Sequence, residues 1–167
     1  MSIAYSPPGA DSEPVHRRAA TILVVDDSPD CRAGLELLLR RHGFRVLLAA
    51  DGQQALECIR AGVVPDLILL DMLLPVVDGF AFLERLQATQ TITRVPVIIM
   101  TGMALGKEWA RDHGCAGFVK KPIDKFALFE EVGRCLIGRR HWPRSGSATG
   151  VQTPAPFGRM GAGSRFH

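Results

Sequence analysis

The stretch Thr21-Ile-Leu-Val-Val-Asp-Asp-Ser-Pro29 decides the architecture. A run of five residues with no polar alternation is the pattern of a strand buried on both faces, as in a parallel sheet covered by helices. Ser28-Pro29 then supplies a helix N-cap followed by proline at the first helical position, where its missing N–H costs nothing. Strand, acidic loop and helix therefore follow one another within a few residues, and the two carboxylates of Asp26 and Asp27 stand at the carboxyl end of the strand.

The same grammar repeats along the chain. Leu35 to Leu39 has helical spacing, Phe44 to Ala50 reads as a strand and Ala55 to Ile59 as a helix. Asp66 to Leu70 reads as a strand, Phe80 to Leu86 as a helix, Val95 to Met100 as a strand and Trp109 to His113 as a short helix. Ala116 to Lys120 and Phe126 to Ile137 complete a fifth strand and helix. Asp51, Asp78 and Asp124 stand where helices start, and Gly43 and Gly114 where two of them end. Five such units predict an α/β fold, a parallel sheet with helices on both faces.

Around this body lie two segments of different composition. Residues 1–19 hold Pro7, Pro8, Gly9 and Pro14 without apolar periodicity, and residues 138–167 are rich in Gly, Ser, Pro and Arg; both are expected to be disordered. The formal charge of +3 is an average over unlike parts, because residues 138–167 carry five arginines and no acid, which leaves residues 21–137 at −2. That basic tail raises contact with nucleic acid or an acidic partner as a possibility, but it holds no DNA-binding helix pair, and a solvated extension is the simpler reading. No window approaches the roughly 18 apolar residues of a membrane span, and no signal-peptide pattern opens the chain, so a soluble, cytoplasmic protein is expected. The four cysteines, Cys31, Cys58, Cys115 and Cys135, form no C-x-x-C pair and are expected to be reduced, mostly buried small hydrophobes.

In an open parallel sheet ligands bind in the crevice beyond the carboxyl ends of the strands, so the residues just after each apolar run carry the functional signal. They are Asp26-Asp27, Asp71, Thr101 and Lys120-Lys121-Pro122. Three converging carboxylates repel one another unless a cation neutralises them, and a hard divalent ion such as Mg²⁺, which prefers oxygen ligands and keeps several waters, suits them. Direct ligation by Asp27 and Asp71, with Asp26 acting through water, is consistent with that chemistry. A lysine and a hydroxyl nearby supply what a phosphoryl group in transfer requires, neutralisation and holding of its equatorial oxygens. Singly these residues have plainer readings: Asp-Asp as a turn and cap, Thr101 as a strand-end hydroxyl, Lys121 as a loop cation. Their coincidence at four strand ends favours a phosphoryl-transfer site with a carboxylate acceptor. Gly102-Met-Ala-Leu-Gly106-Lys107 is one residue too short for a phosphate-binding loop and lacks the following Ser or Thr.

From about residue 20 to 137 the chain resembles the receiver domain of two-component response regulators, the family that includes the single-domain chemotaxis regulator. The resemblance rests on Val25-Asp26-Asp27, on Asp71-Met-Leu-Leu-Pro-Val-Val-Asp-Gly79, on Met100-Thr101-Gly102 and on Lys121-Pro122, with Phe118 three residues before the lysine. It implies a doubly wound sheet in the order 2-1-3-4-5. It also implies Asp71 as phosphoacceptor, Thr101 and Lys121 as its catalytic partners, and Mg²⁺ on Asp26, Asp27, Asp71 and the backbone carbonyl of Leu73. Thr101 and Phe118 would form the switch, and Lys121, directly before the proline, is preferred to Lys120. The Lys-Pro bond would be cis.

The expected partners are a sensor histidine kinase or histidine phosphotransfer protein as donor and an unidentified downstream protein. A homodimer through the fourth helix, fifth strand and fifth helix is a further option, and the competing reading is a receiver-fold adaptor that works without phosphorylation. The chain departs from the family pattern in two ways. Thr101 and Lys121 are about two residues closer than in the chemotaxis regulator, which predicts a short or irregular fourth helix. Leu73 and Met103, each two residues beyond a site residue, are apolar and cannot orient a hydrolytic water, which predicts a long-lived phosphorylated state.

Overall fold

A computed structural model describes residues 19–89 and 95–137. The disorder expected of residues 1–19 and 138–167 falls, but for residue 19, outside the described residues. Ten elements alternate: β1 (Thr21–Val25), α1 (Pro29–Arg41), β2 (Arg45–Ala49), α2 (Gly52–Arg60), β3 (Leu67–Asp71), α3 (Gly79–Ala88), β4 (Val97–Thr101), α4 (Lys107–Asp112), β5 (Gly117–Lys120) and α5 (Lys125–Leu136). The strands form one parallel sheet in the order β2-β1-β3-β4-β5.

The period-two geometry of the strands sorts the core into two layers. Leu23, Val25, Ile68, Leu70 and Ile99 face Ala55, Ile59, Phe82, Leu86 and Ala110 of α2, α3 and α4. Their neighbours Ile22, Val24, Leu67, Leu69, Ile98 and Met100 face Leu35, Leu39, Leu128, Val132 and Leu136 of α1 and α5. Because both sets come from the same strands, β1, β3 and β4 are buried at every position. β2 and β5 are edge strands and depart from the expected continuous burial: Arg45 and Leu48 of β2 and Lys120 of β5 reach solvent.

Capping follows the sequence. Ser28 Oγ accepts from the Cys31 amide at 3.3 Å, Asp51 from Gln54 at 2.8 Å, Asp78 from Ala81 at 2.8 Å, and Asp124 from Phe126 and Ala127 at 3.0 and 2.9 Å. Each bond satisfies an amide that the first helical turn leaves open. Gly43 and Gly114 turn the chain with φ of 83° and 73° just after α1 and α4. α4 is the exception among the helices: six residues long, with Gly106 at its N-cap and no side-chain capping bond. The short fourth helix expected from the Thr101 to Lys121 spacing is thus present.

The cysteines correct the sequence reading. All four are free thiols, as expected, but each is half-buried rather than fully buried. They lie on helices or at a strand entrance where the layers meet solvent, and a small side chain there packs on one side only. Burial still pushes the Cys115 thiol up to about 11.

Candidate functional site: the carboxyl ends of the strands

The parallel strands deliver their carboxyl ends to one rim, and every residue singled out there in the sequence arrives except Phe118, which lies deeper on β5. The β1 chain runs straight into Asp26, which is fully buried, and Asp27, which is exposed; Asp71 ends β3 and is 4% exposed; Thr101 ends β4 and is fully buried. One carboxylate oxygen from each of Asp26, Asp27 and Asp71 lies within 4.8 Å of the others. Lys121 follows β5 and bridges two of them: its ammonium is 2.7 Å from Asp26 Oδ2 and hydrogen-bonded to Asp71 Oδ2. Lys120 is exposed, so Lys121 is the lysine that enters the crevice. The Lys121–Pro122 bond is cis.

Backbone amides fix the remaining oxygens. Asp26 Oδ1 accepts from Ser28 N at 2.9 Å, Asp71 Oδ1 from Leu73 N at 3.0 Å, and Thr101 Oγ1 from Met103 N at 3.1 Å. Each amide lies two residues on, so each loop folds back onto the side chain that opens it. Burial works against the charge of Lys121, yet its hydrogen bonds to Asp26 and Asp71 outweigh that and raise its pKa above the ordinary 10.5. A carboxylate-rich crevice with one internal cation is a strong electrostatic trap for a small, hard, positive ligand. The three-oxygen donor set fits Mg²⁺ in kind.

The loop carrying Asp71 is held tightly. Gly79 packs so close that a Cβ there would lie 2.6 Å from Met72 Cα and 2.8 Å from the Asp71 carbonyl oxygen. Gly52, opening α2, donates its amide to Val77 O at 3.2 Å, and a Cβ on it would meet that oxygen at 2.5 Å. Between these contacts Val76 adopts φ 64°, in the left-handed region that a β-branched residue avoids, and Val77 N closes onto Pro75 O at 2.7 Å.

Two contributors lay outside the sequence reading. Arg32 Nη1 donates to the Asp26 carbonyl oxygen at 2.6 Å. Burial first, and then a hydrogen bond to Asp26, pushes the Cys31 thiol up to about 11. Both sit in the first turns of α1, directly above the acidic pair. Their spacing of five and six residues from Asp26 was the available signal, and it is the spacing at which a helix that starts at a strand end looks back over it.

Leu73 is 58% exposed, and Met103 packs at the margin of the core. Phe118 is half-buried and pairs in register with Ile99. It lines a cavity of about 250 Å³ between α4, β5 and α5, together with Lys107, Ala110, Cys115, Glu131 and Arg134.

The model of the response regulator receiver domain family matches residues 22–133. The chain belongs to the response regulator receiver family. It is 32% identical over 121 residues to protein PilH of Pseudomonas aeruginosa, an alignment covering 71% of this chain and 99% of PilH. To the transcriptional regulatory protein CpxR of Klebsiella pneumoniae it is 33% identical over 135 residues, covering 80% of this chain and 56% of CpxR. The receiver thus spans nearly all of one relative and about half of the other. Among solved structures, the chemotaxis response regulator CheY4 of Vibrio cholerae superposes with a TM-score of 0.64 at 28% identity, covering 71% of this chain and 99% of that one. The signal receiver domain of a signal transduction histidine kinase from Syntrophus aciditrophicus gives 0.65 at 30% identity, covering 78% and 98%. Among the described residues, no helix of this receiver is long and apolar enough to cross a membrane.

Proposed function

We propose that residues 20–137 form a phosphorylation switch that takes a phosphoryl group onto Asp71 from a phosphohistidine of a sensor kinase or phosphotransfer protein. The observation that carries this reading is the meeting of Asp26, Asp27, Asp71 and Lys121 in one crevice beside the buried hydroxyl of Thr101. A carboxylate oxygen of Asp71 attacks phosphorus as the phosphorus–nitrogen bond to the donor imidazole breaks, and that nitrogen keeps the bonding electron pair and takes up a proton. Lys121 moves from the Asp71 oxygen to an oxygen of the arriving phosphoryl group, and the Thr101 hydroxyl donates to another. Asp27 and Asp71, the Leu73 carbonyl and, through water, Asp26 would hold Mg²⁺, which neutralises phosphoryl oxygens and carboxylates alike.

The output is a change of surface. Thr101 and Phe118 lie on adjacent strands, and the cavity beside Phe118 gives its ring room to move when Thr101 shifts. The responding face is α4, β5 and α5, available to a downstream protein or a second copy of the chain.

The test is intact-protein mass after incubation with acetyl phosphate and Mg²⁺. A phosphoryl-sized gain that needs Mg²⁺ and disappears in Asp71→Ala supports the switch. A folded protein that neither gains mass nor binds Mg²⁺ is an adaptor instead.

A further inference from the structure

Glu131 on α5 is a carboxylate only 9% exposed and lies against Gly117, at the opposite end of β5 from Lys121. A buried carboxylate persists only where cations and hydrogen bonds compensate its lost hydration. Here two cations do so. Arg134, one turn along α5, meets it through Nε at 3.2 Å and through Nη2, and the same Nη2 donates to the Ala116 carbonyl oxygen at the entrance to β5. Lys107, the first residue of α4, places its ammonium 3.5 Å from the other oxygen. Gly117 makes the arrangement possible, since a Cβ there would lie 2.7 Å from Glu131 Oε2 and 3.1 Å from Ile98 Cγ1. Glu131 is therefore a fixed point, pinned between α5 and the edge strand.

What it holds is a weakly anchored element. α4 has six residues, no side-chain cap and one buried residue, Ala110. Helices so short have little stability of their own. Among the described residues, Lys107–Glu131 is the one ion pair that joins α4 to another element. The segment leading into α4 is fastened at its other end by the bond from Met103 N to Thr101 Oγ1. When the Thr101 hydroxyl moves toward a phosphoryl group, Met103 must either follow it or let go. In the first case the segment that ends at Lys107 is drawn along, and in the second it loses its anchor at the Thr101 end.

We propose that the Lys107–Glu131 ion pair is a latch that holds α4 against α5 and sets how readily the β4–α4 segment yields when Asp71 is modified. The latch rests on the phosphorylation reading above. It makes Lys107 and Glu131 positioning residues, remote from the reacting atoms, and it separates two roles on the cavity wall: Arg134 fixes Glu131, and Lys107 is the part that releases.

The probe is beryllofluoride with Mg²⁺, a phosphoryl mimic, titrated into the full chain and its variants and followed by ¹⁹F NMR of the bound species. Trp109 fluorescence in a Trp142→Phe background reports α4, because the Trp109 ring stacks on His113 at 3.8 Å and meets Phe80 edge-on. Lys107→Met keeps the aliphatic stem and removes the charge, and as Lys107 is mostly exposed the fold tolerates it. Expected is a midpoint about two- to five-fold lower than wild type, the range of one partly exposed ion pair, with unliganded Trp109 emission already shifted toward the bound value. Lys107→Arg restores the wild-type midpoint, and high salt narrows the gap between wild type and Lys107→Met. An unchanged or higher midpoint in Lys107→Met overturns the latch while leaving the phosphorylation reading intact. Absence of a bound ¹⁹F signal in wild type removes the phosphorylation reading and the latch with it.

Discussion

The ammonium of Lys121 sits 2.7 Å from a carboxylate oxygen of Asp26, a residue 95 positions earlier in the chain. Asp26 is fully buried and Lys121 is the cation bonded to its carboxylate, so removing the lysine leaves a buried charge with the Ser28 amide on it and only the neighbouring Arg32 as counter-charge. Lys121→Met is expected to destabilise the domain by about 1–3 kcal/mol at neutral pH. Because the Asp26–Asp27–Asp71 crevice can take a metal in the lysine's place, saturating Mg²⁺ restores a larger share of stability to the variant than it adds to wild type. Urea unfolding of both proteins with and without Mg²⁺ measures this, and equal metal effects would contradict it.

Alkaline pH gives a second test of the same lysine. Its folded pKa is raised above 10.5, so the stability it contributes is fully present below 10.5 and is lost as pH rises through the higher folded value. Cys31 acts in the same direction: its thiol ionises from about pH 9.0 in the unfolded chain but only near 11 in the folded one, so stability falls across that window. Thermal unfolding from neutral to alkaline pH should show a decline that is shallower in Lys121→Met and in Cys31→Ala. A decline of equal slope in all three proteins would place its cause elsewhere.

Thiol chemistry follows from the same values. With Cys31 and Cys115 both near 11, their thiolate fraction at mildly alkaline pH is roughly 100-fold below that of an ordinary cysteine. Iodoacetamide labelling read by peptide mass is expected to modify both slowly in the native protein and rapidly in urea. Fast native labelling of Cys31 would mean that neither burial nor Asp26 restrains its thiol.

Gly79→Ala forces a methyl group into Met72 Cα and the Asp71 carbonyl oxygen. The loop must shift, at a cost of about 1–3 kcal/mol. The shift moves the acceptor itself, so acetyl phosphate should modify the folded variant more slowly than wild type. A variant that loses stability but keeps the wild-type phosphorylation rate would show that the loop adjusts on the α3 side instead.

Persistence of the phosphorylated form tests Leu73 and Met103. Neither can hydrogen-bond a water toward the phosphoryl group, and the expected phosphoaspartate survives for minutes or longer rather than seconds. Leu73→Asn, which adds such a group at an exposed position, is expected to shorten the lifetime roughly tenfold. Decay of the phosphorylated mass with time decides the matter, and a lifetime of seconds in wild type would refute it.

Much of this molecule is legible in its sequence because its signals are local. The run Thr21 to Val25 reads as a buried strand since it has a strand on either side and helices over both faces, and Ser28, Asp51, Asp78 and Asp124 announce helix starts by chemistry that acts over three residues. The crevice is legible too, because parallel strands bring their ends together whatever the helices do. The exposure of Leu48 is not legible because it depends on which strand lies outermost, and the partial exposure of the four cysteines depends on how the helices seat on the sheet; composition records neither. The Lys107–Glu131 pair is not legible for a related reason: it joins elements whose adjacency exists only once the sheet is ordered, and neither residue stands out in its own helix.

Asp71 ends β3, the middle strand of five, hydrogen-bonded to β1 on one side and β4 on the other. Both core layers press on that strand, so the backbone at Asp71 is among the least yielding parts of the domain. A covalent event there cannot be absorbed where it occurs. On the proposed function its disturbance travels outward across the sheet until it reaches parts soft enough to give, and on the β4 side these are the edge strand β5 and the scantily rooted α4. The proposed chemistry on the stiffest strand and compliance at the rim would make the domain a lever, with its fulcrum in the apolar layers and its long arm at the surface.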